Sequence, residues 1–329
     1  MKKYEFTGET RKYGGRILHR IRAIRNFSDV HVGDTGGWIE EEENLSHDGN
    51  AWVYGNARVY GDAWVSDDAV VSDNARVYDN ARVSGNASVF DNARVSDNAS
   101  VFDNARVSGN AQVYGNAQIY GNARVYGNAR VSDNVRVYGN AWVSANARVY
   151  GDAWVYGDAV VYDDAFVYGD ARVYGNARVF GNASVFDNAF VYGDARVLGN
   201  ASVFDNAWAY DDARVFGDAR VFGNARVFGD AWVFGDAFVY GNACIQNEKH
   251  IMWISTMGSR DDTVTFIRSE NNKIIVTTGC FIGTIDEFKH AVKETHGDNE
   301  HAKAYMLAIE LAELRIDLSD DVHGYSKGE

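Results

Sequence analysis

The residues best suited to chemistry in this chain are one cysteine and three histidines towards its C-terminal end. Cys280, His290, His296 and His301 are separated by intervals of 10, 6 and 5 residues. Thiolate and imidazole groups bind zinc, and a cysteine beside a histidine can act as a nucleophile. The intervals match no standard zinc pattern, and no nucleophile signature surrounds the cysteine. The four residues are candidates for a Cys/His site, against the simpler interpretation of an ordinary buried cysteine and surface histidines.

Aspartates that recur at a fixed interval raise the question of a metal site. Asp194, Asp212 and Asp230 are equally spaced, and the interval from Asp152 to Asp170 is the same. Calcium requires six or more oxygen ligands from a loop that wraps it, and the glycine-rich calcium-binding nonapeptide is absent from the sequence. We therefore expect these side chains to hydrogen-bond at corners of the fold, and we predict no metal and no cofactor.

A six-residue period organises residues 51–247. The unit reads Ala-x-Val-y-(Gly/Asp)-(Asn/Asp), and it continues from Ala51 through 33 hexads without insertion or deletion. Ala and Val share one face of a strand, and the last two residues of each hexad are turn formers. A strict short period of this kind indicates a solenoid. Three hexads per turn predict an all-β parallel helix of about 11 triangular coils, roughly 50 Å long at a strand spacing of ~4.8 Å.

The outward x and y positions form columns when every third hexad is read. The x columns are rich in Arg and Trp, and the y columns are mostly Tyr, Phe and Ser. Such residues are good strand formers, their rings stack, and arginine can lie across them. So much aromatic surface also suits a contact face for a second copy, a partner protein or a glycan. The candidates for that face are Trp142, Trp154, Tyr138, Tyr156, Tyr174, Tyr192, Arg172 and Arg178.

Composition narrows the class of protein. The chain has 329 residues, a formal net charge of −14, no proline and two cysteines. An acidic balance disfavours a nucleic-acid ligand. A further hypothesis is an acidic decoy for a host nucleic-acid-binding or defence protein, and the arginines spread through the repeat argue against it. Two cysteines are no disulfide framework, and neither a secretory signal nor an apolar stretch of membrane length is visible, so we expect a cytoplasmic protein.

The sequence divides into three parts. Residues 1–50 are a non-periodic N-terminal capping segment, 51–247 are the repeat, and 248–329 are a small α+β module. In that module three strands are predicted, near Ile251–Thr256, Thr263–Arg268 and Lys273–Thr278. A capping box at Thr284 and Glu287 predicts a first helix through about Thr295. A second helix, about Glu300 to Ile316, is predicted to bury Ala304, Leu307, Ala308, Leu311 and Leu314.

Two stretches carry a resemblance to known families. The hexads, as in Val53-Tyr54-Gly55-Asn56-Ala57-Arg58, resemble the hexapeptide repeat of left-handed parallel β-helices. The stretch Gly36-Gly37-Trp38-Ile39-Glu40, followed by Asn44-Leu45-Ser46, resembles the start of the YdcK family of bacterial β-helix proteins. It is still more similar to proteins of phages and prophages that have no assigned function. The resemblance implies a left-handed helix, a phage or prophage origin, and acyl transfer by analogy.

The repeat lacks what acyl transfer requires. Enzymes built on this hexad usually employ a histidine base near a loop that leaves the coil, in a cleft between subunits. Residues 51–247 contain no His, Lys or Glu and no interrupting loop. The sequence therefore favours a non-enzymatic structural or binding protein with no catalytic residue, whose outward aromatics predict a homo-oligomer. An acyltransferase that uses a histidine from an end module is the alternative.

Overall fold

The computed structural model describes residues 1–319 in two compact units, Met1–Asp170 and a second that begins at Ala171. The first unit opens with β1 (Tyr4–Tyr13), β2 (Arg16–Ala23), β3 (Thr35–Ile39) and a 3-10 turn at Glu42–Asn44. Its strands β4 to β23 are Trp52–Val53, Arg58–Val59, Trp64–Val65, Val70–Val71, Arg76–Val77, Arg82–Val83, Ser88–Val89, Arg94–Val95, Ser100–Val101, Arg106–Val107, Gln112–Val113, Gln118–Ile119, Arg124–Val125, Arg130–Val131, Arg136–Val137, Trp142–Val143, Arg148–Val149, Trp154–Val155, Val160–Val161 and Phe166–Val167.

The second unit continues the repeat and ends in mixed structure. Its strands β24 to β36 are Arg172–Val173, Arg178–Val179, Ser184–Val185, Phe190–Val191, Arg196–Val197, Ser202–Val203, Trp208–Ala209, Arg214–Val215, Arg220–Val221, Arg226–Val227, Trp232–Val233, Phe238–Val239 and Cys244–Ile245. They are followed by β37 (Ile251–Met257), β38 (Asp262–Arg268), β39 (Ile274–Thr278), β40 (Phe281–Thr284), α1 (Ile285–His296) and α2 (Glu300–Arg315). Short 3-10 turns occupy Glu248–His250 and Gly258–Arg260.

Within each unit every hexad stacks in parallel on the third hexad after it. Val53 pairs with Val71 in the first unit, and Val203 pairs with Val221 in the second. Three parallel sheets result in each unit, as the three-hexad coil predicts. Because β3 also pairs in parallel with β5, the N-terminal segment adds a turn, and the protein is a parallel β-solenoid of about 12 turns.

The core of the solenoid is a double row of small residues. The Ala and Val side chains of the hexads point inward and are fully buried, including the exchanged Val135 and Ala209. The fifth residue of each hexad turns the corner in the left-handed region, with φ of 61° at Gly55 and 56° at Asp67. Glycine and aspartate tolerate this conformation, which explains why they dominate the position. Ala145 adopts it as well, at φ 56°.

The N-terminal segment covers the first coil through β3. Trp38 and Glu40 donate backbone N–H groups to the carbonyls of Ala57 and Val59, at 2.9 and 3.0 Å. Gly36 and Gly37 permit this contact, because a Cβ on either would lie 2.6 Å from a side-chain carbon of Ile21 or Val53. β2 and the charged strand β1 then pair antiparallel outside β3, so the solenoid does not end in a bare edge.

The C-terminal module is a four-stranded antiparallel sheet packed on two helices. Phe281–Thr284 is a fourth strand, in addition to the three that the sequence predicts. Thr284 and Glu287 form the predicted capping box of α1.

The buried face of α2 differs from the prediction. The helix buries Ala302, Tyr305, Ala308, Ile309 and Ala312. Of the predicted set, Ala308 is buried and Ala304 is half-buried, whereas Leu307, Leu311 and Leu314 are exposed. The prediction was wrong for the leucines because both faces of the helix carry apolar residues, and contact with Phe288 of α1 selects the face that includes Tyr305.

Threonine hydroxyls terminate the last coil of the second unit. Thr265 accepts the backbone N–H of Phe238 at 3.2 Å, and the Thr277 hydroxyl donates to the Phe238 carbonyl at 3.1 Å. The indole of Trp253 packs edge-on against Phe234 at 4.4 Å between centroids. The module therefore satisfies polar groups that the next coil would otherwise pair. No helix within residues 1–319 is long and apolar enough to cross a membrane.

Candidate functional site

The outward y positions form continuous stacks of aromatic rings. In the first unit Tyr120, Tyr138 and Tyr156 stack with centroids 4.9 Å apart and planes within 3°. In the second unit Tyr174 and Tyr192 stack at 4.8 Å. Burial raises the pKa of the Tyr120, Tyr174 and Tyr192 hydroxyls, which favours their neutral form.

The contact-face candidates of the first unit lie on two different sheets. Tyr138, Tyr156 and Trp154 are close together, and the Trp154 ring meets Tyr138 edge-on at 6.4 Å. Trp142 stands on a neighbouring sheet, 39% exposed and 6.2 Å from Tyr126. The predicted residues thus form separate aromatic patches.

The candidates of the second unit also divide between two sheets. Tyr174 and Tyr192 share one sheet with Arg172, whose guanidinium lies 5.3 Å from the Phe190 ring. Arg178 belongs to another sheet, where it pairs in register with Arg196. Their role in contact remains a prediction.

Arginines of the x columns lie over aromatic rings of the adjacent coil. The Arg124 and Arg136 guanidinium carbons stand 5.1 and 4.9 Å from the centroids of Trp142 and Trp154. Arg214 repeats the contact on Trp232 at 4.7 Å. Cation–π contact of this kind stabilises the coil stack, so much of the exterior charge already has a partner within the chain.

The corner rows are hydrogen-bonded ladders. The Asn116 amide donates to Asn134 at 2.9 Å, and Asn134 donates to the Asp152 carboxylate at 2.8 Å. At the fifth position the Asp97 carboxylate accepts the backbone N–H of Gly115 at 3.0 Å. Among the residues that the structure describes, no group of three His, Cys, Asp or Glu side chains could hold a metal ion.

A cavity of about 470 Å³ in the C-terminal module brings two of the four Cys/His candidates together. Cys280, which is exposed, and His296 both line it. The His301 ring lies 5.7 Å from that of His296, whereas His290 stands on the solvent side of α1 and pairs with Glu294 at 3.2 Å. Only part of the predicted Cys/His set therefore shares one site.

Tyr305, which the sequence analysis did not single out, forms a wall of this cavity. Its hydroxyl hydrogen-bonds Thr278, and burial raises the pKa of that hydroxyl. A Cβ at Gly258, where φ is 71°, would overlap the Tyr305 hydroxyl. The glycine at position 258 is visible in the sequence, but the reason for it is the Tyr305 hydroxyl on α2, which lies much further along the chain.

His250 has a structural role in the second unit. It is fully buried, its Nδ1 accepts the backbone N–H of Gln246 at 3.1 Å, and its Nε2 lies 2.8 Å from Nη1 of Arg268. Both ring nitrogens are engaged within the fold, so this histidine is not positioned as a base.

A polar cluster under the N-terminal segment was also missed in the sequence. Lys3 is fully buried, its backbone N–H donates to His47 Nδ1 at 3.2 Å, and burial lowers the pKa of its ammonium group to about 8. Nε2 of His47 therefore carries the proton towards Glu42, 2.6 Å away, and the ring stacks on Tyr4. These contacts join the beginning of the N-terminal segment to its own end.

The stacked hexads, the core of small residues and the outward ladders of side chains together define a β-solenoid repeat protein. The YdcK Beta solenoid repeat matches this chain at residues 51–67, 75–90, 99–115, 117–132, 129–145, 147–163, 165–179, 171–187, 189–207 and 219–235. The chain belongs to this family.

One curated relative has a name that includes an enzymatic activity. The protein "Uncharacterized acetyltransferase YdcK" of Escherichia coli (strain K12) is 37% identical over 62 residues, which cover 16% of this chain and 19% of that protein. The chain thus spans about a fifth of the length of the curated relative it matches. The likeness supports the repeat architecture, and the activity in the name belongs to the relative.

Proposed function

We propose that this protein is a non-enzymatic scaffold whose outward ladders and C-terminal module bind partners. Residues 1–50 cap the solenoid, 51–247 present the ladders, and 248–329 supply specificity. The observation that carries the proposal is the exposed indole rings, such as Trp142 and Trp232, beside stacked tyrosines and phenylalanines. Large aromatic rings at a surface favour contact with a partner, because they bury much apolar area at little entropic cost.

The exposed face of α2 supports self-association. Leu307 and Leu314 are 66% and 83% exposed, and Leu311 lies between them on the same side of the helix. A leucine row with this spacing is the pattern by which one helix packs on another. A homo-oligomer held through α2 would place several solenoids side by side, and the likeness of the N-terminal segment to phage and prophage proteins favours a host cytoplasm as its location.

Native mass spectrometry of the full chain tests the proposal directly. We expect an oligomer that the change of Leu307 and Leu311 to serine dissociates, while the change of the exposed Arg315 to alanine leaves it intact. A wild-type chain that stays monomeric at micromolar concentration would refute self-association. A host protein or glycan that binds the wild-type chain and not a Trp142→Ser/Trp154→Ser variant would support the contact face.

Acyl transfer is the second candidate, favoured by the name of the curated relative. The C-terminal cavity is the place for it, because Cys280 and His296 face the same space. If the protein is such an enzyme, it consumes acetyl-CoA, and His296→Ala reduces that activity more than His290→Ala does. No turnover by the wild-type chain with a panel of amine acceptors would leave the scaffold role as the better explanation.

A further inference from the structure

Two serines interrupt a tyrosine stack in the first unit. One y column reads Tyr60, Tyr78, Ser96, Tyr114, Ser132, Tyr150 and Tyr168, each three hexads after the last. Where rings are consecutive they stack, at 5.1 Å for Tyr60 and Tyr78 and at 5.0 Å for Tyr150 and Tyr168. At each serine, one coil of the column has no ring between the tyrosines of the coils before and after it.

A cavity lies at Ser96, where the column lacks an aromatic ring. A space of about 280 Å³ lies there, with Tyr78 and Tyr114 among its lining residues and Ser96, 7% exposed, at its floor. Tyr78 and Tyr114 are two coils apart, which is about 9.6 Å at the usual strand spacing. One planar ring fills such a gap, because consecutive rungs in this protein hold rings at half that distance, as Tyr120 and Tyr138 do at 4.9 Å.

The charged residues at the rim of the cavity determine which kind of ring could bind in it. Asp79 and Asp97 contribute two carboxylates, Arg94 contributes one guanidinium, and Gln112 adds an amide. An anionic ring would meet a rim with a net negative charge, so a neutral ring with a hydrogen-bond donor, such as indole or phenol, suits it best.

A second serine gap lies two coils away, although glycines follow both of its flanking tyrosines, so it has no counterpart of Asp79. The hexad Ala-Arg-Val-Ser-Asp-Asn occurs at 93–98 and again at 129–134, so Ser132 has the same arginine and aspartate neighbours as Ser96. Gln112 pairs in register with Arg94 on one side and Arg130 on the other. Tyr114 is the wall that the two slots share, and Ser132 is only 6% exposed.

Stability of the solenoid does not explain these serines. The corresponding column of the second unit is aromatic throughout, and Phe186, Phe204 and Phe222 stack at 4.7 and 4.8 Å. Each serine in the first unit therefore gives up two ring contacts that the same backbone supports elsewhere.

We propose that the slots at Ser96 and Ser132 bind two aromatic side chains of a partner polypeptide in the polyproline II conformation, three residues apart. The inference rests on the proposed binding role and names the chemistry that one ladder recognises. A polyproline II segment has three residues per turn and a rise of about 3.1 Å, so residues i and i+3 point the same way about 9.3 Å apart. Same-face residues of a β-strand are about 6.7 Å apart, and those seven apart in a helix about 10.5 Å, so both fit the slots less well.

End-blocked, uncharged peptides test the spacing by isothermal titration against the full chain. The probes carry Trp-Pro-Pro-Trp, Trp-Pro-Trp or a single tryptophan among prolines. Because the second ring binds intramolecularly, Trp-Pro-Pro-Trp is expected to bind at least about tenfold more tightly than the single-ring peptide, and Trp-Pro-Trp is not. Equal affinities for the two spacings would overturn the proposal.

Filling the slots tests their location. A second column has serine gaps of the same spacing at Ser72, Ser108 and Ser144, so the slot variants are made in a chain that carries tyrosine at those three positions. In that chain Ser96→Tyr should lower the affinity for Trp-Pro-Pro-Trp to that of the single-ring peptide, and Ser96→Tyr with Ser132→Tyr should abolish binding. Both changes complete a stack that the fold already uses, so folding should survive. Ser84→Tyr is the control, since Ser84 follows Ser66 in its column and lies in no slot between two rings. Peptide binding that survives in the doubly filled variant would overturn the proposal. The oligomeric state, which tests the scaffold role, is measured in a separate experiment.

Discussion

The stacked tyrosines predict that stability depends on column neighbours more than on the residue replaced. Tyr138 lies between Tyr120 and Tyr156, each 4.9 Å away. Tyr138→Ser would remove both stacked contacts and the edge-on contact with Trp154, while leaving a backbone that carries serine at other y positions. The change should therefore lower stability without disturbing the coil itself.

The magnitude follows from the number of stacked partners. An aromatic pair contributes about 0.5–1.5 kcal/mol beyond its buried area, so the two stacked pairs and the edge-on pair amount to about 1.5–4.5 kcal/mol. Tyr114→Ser is the matched control, because Ser96 and Ser132 flank Tyr114 in its column and leave it no stacked neighbour to lose. The chemical change is the same in both variants, so the area term largely cancels in their difference.

Urea unfolding monitored by circular dichroism measures the stability of the two variants. Amide hydrogen exchange of the affected coils reports the local loss of stability. Exchange is needed because a repeat protein can open coil by coil, and a single unfolding free energy then misses local loss. We expect Tyr138→Ser to be the less stable variant by about 1.5–4.5 kcal/mol. Equal losses, or a larger loss for Tyr114→Ser, would mean that ring stacking contributes nothing beyond burial.

Further outcomes follow from the two ends of the chain. Gly36→Ala should lower stability by about 1–3 kcal/mol in thermal unfolding, because its Cβ would overlap neighbours packed on the first coil. Thr284→Ala should cost about 1 kcal/mol and fray the start of α1 in hydrogen exchange, since it removes the helix cap. Burial lowers the pKa of Lys3 to about 8, below its unfolded value, so Lys3 binds more protons in the unfolded state between pH 8 and about 10, and its contribution to stability should rise there. The difference in stability between the wild-type chain and Lys3→Met, measured from unfolding curves at each pH, should show that rise. Iodoacetamide should label the exposed Cys280 and spare the buried Cys244 until denaturant is added, with mass spectrometry counting the adducts.

Periodicity alone was sufficient for the solenoid. A hexad with two inward small residues and two turn formers favours stacking of the repeat on itself, because strands of two residues are too short to be stable except in register with their own repeats. The interval of three hexads between partners, as at Val53 and Val71, follows from that arithmetic. The serine gaps in the tyrosine column are equally readable, once three hexads per coil are known.

The two ends depended on contacts that no period encodes. α2 has leucines on one side and alanines with Tyr305 and Ile309 on the other, and both sides look apolar in the sequence. The smaller side is buried because it fits against Phe288 and the sheet at close range, which leaves Leu307 and Leu314 outside. Packing geometry, which sums over residues distant in the chain, made that choice.

The candidate sites show the same division. The sequence by itself determined which residues face outward and how far apart the rungs stand, because local strand geometry fixes both. It could not tell that Cys280 and His296 share a cavity while His290 does not, or that Gly258 admits the Tyr305 hydroxyl. Those relations depend on how one helix docks on a sheet, and only the tertiary structure decides them, since burial is a property of all the neighbours together.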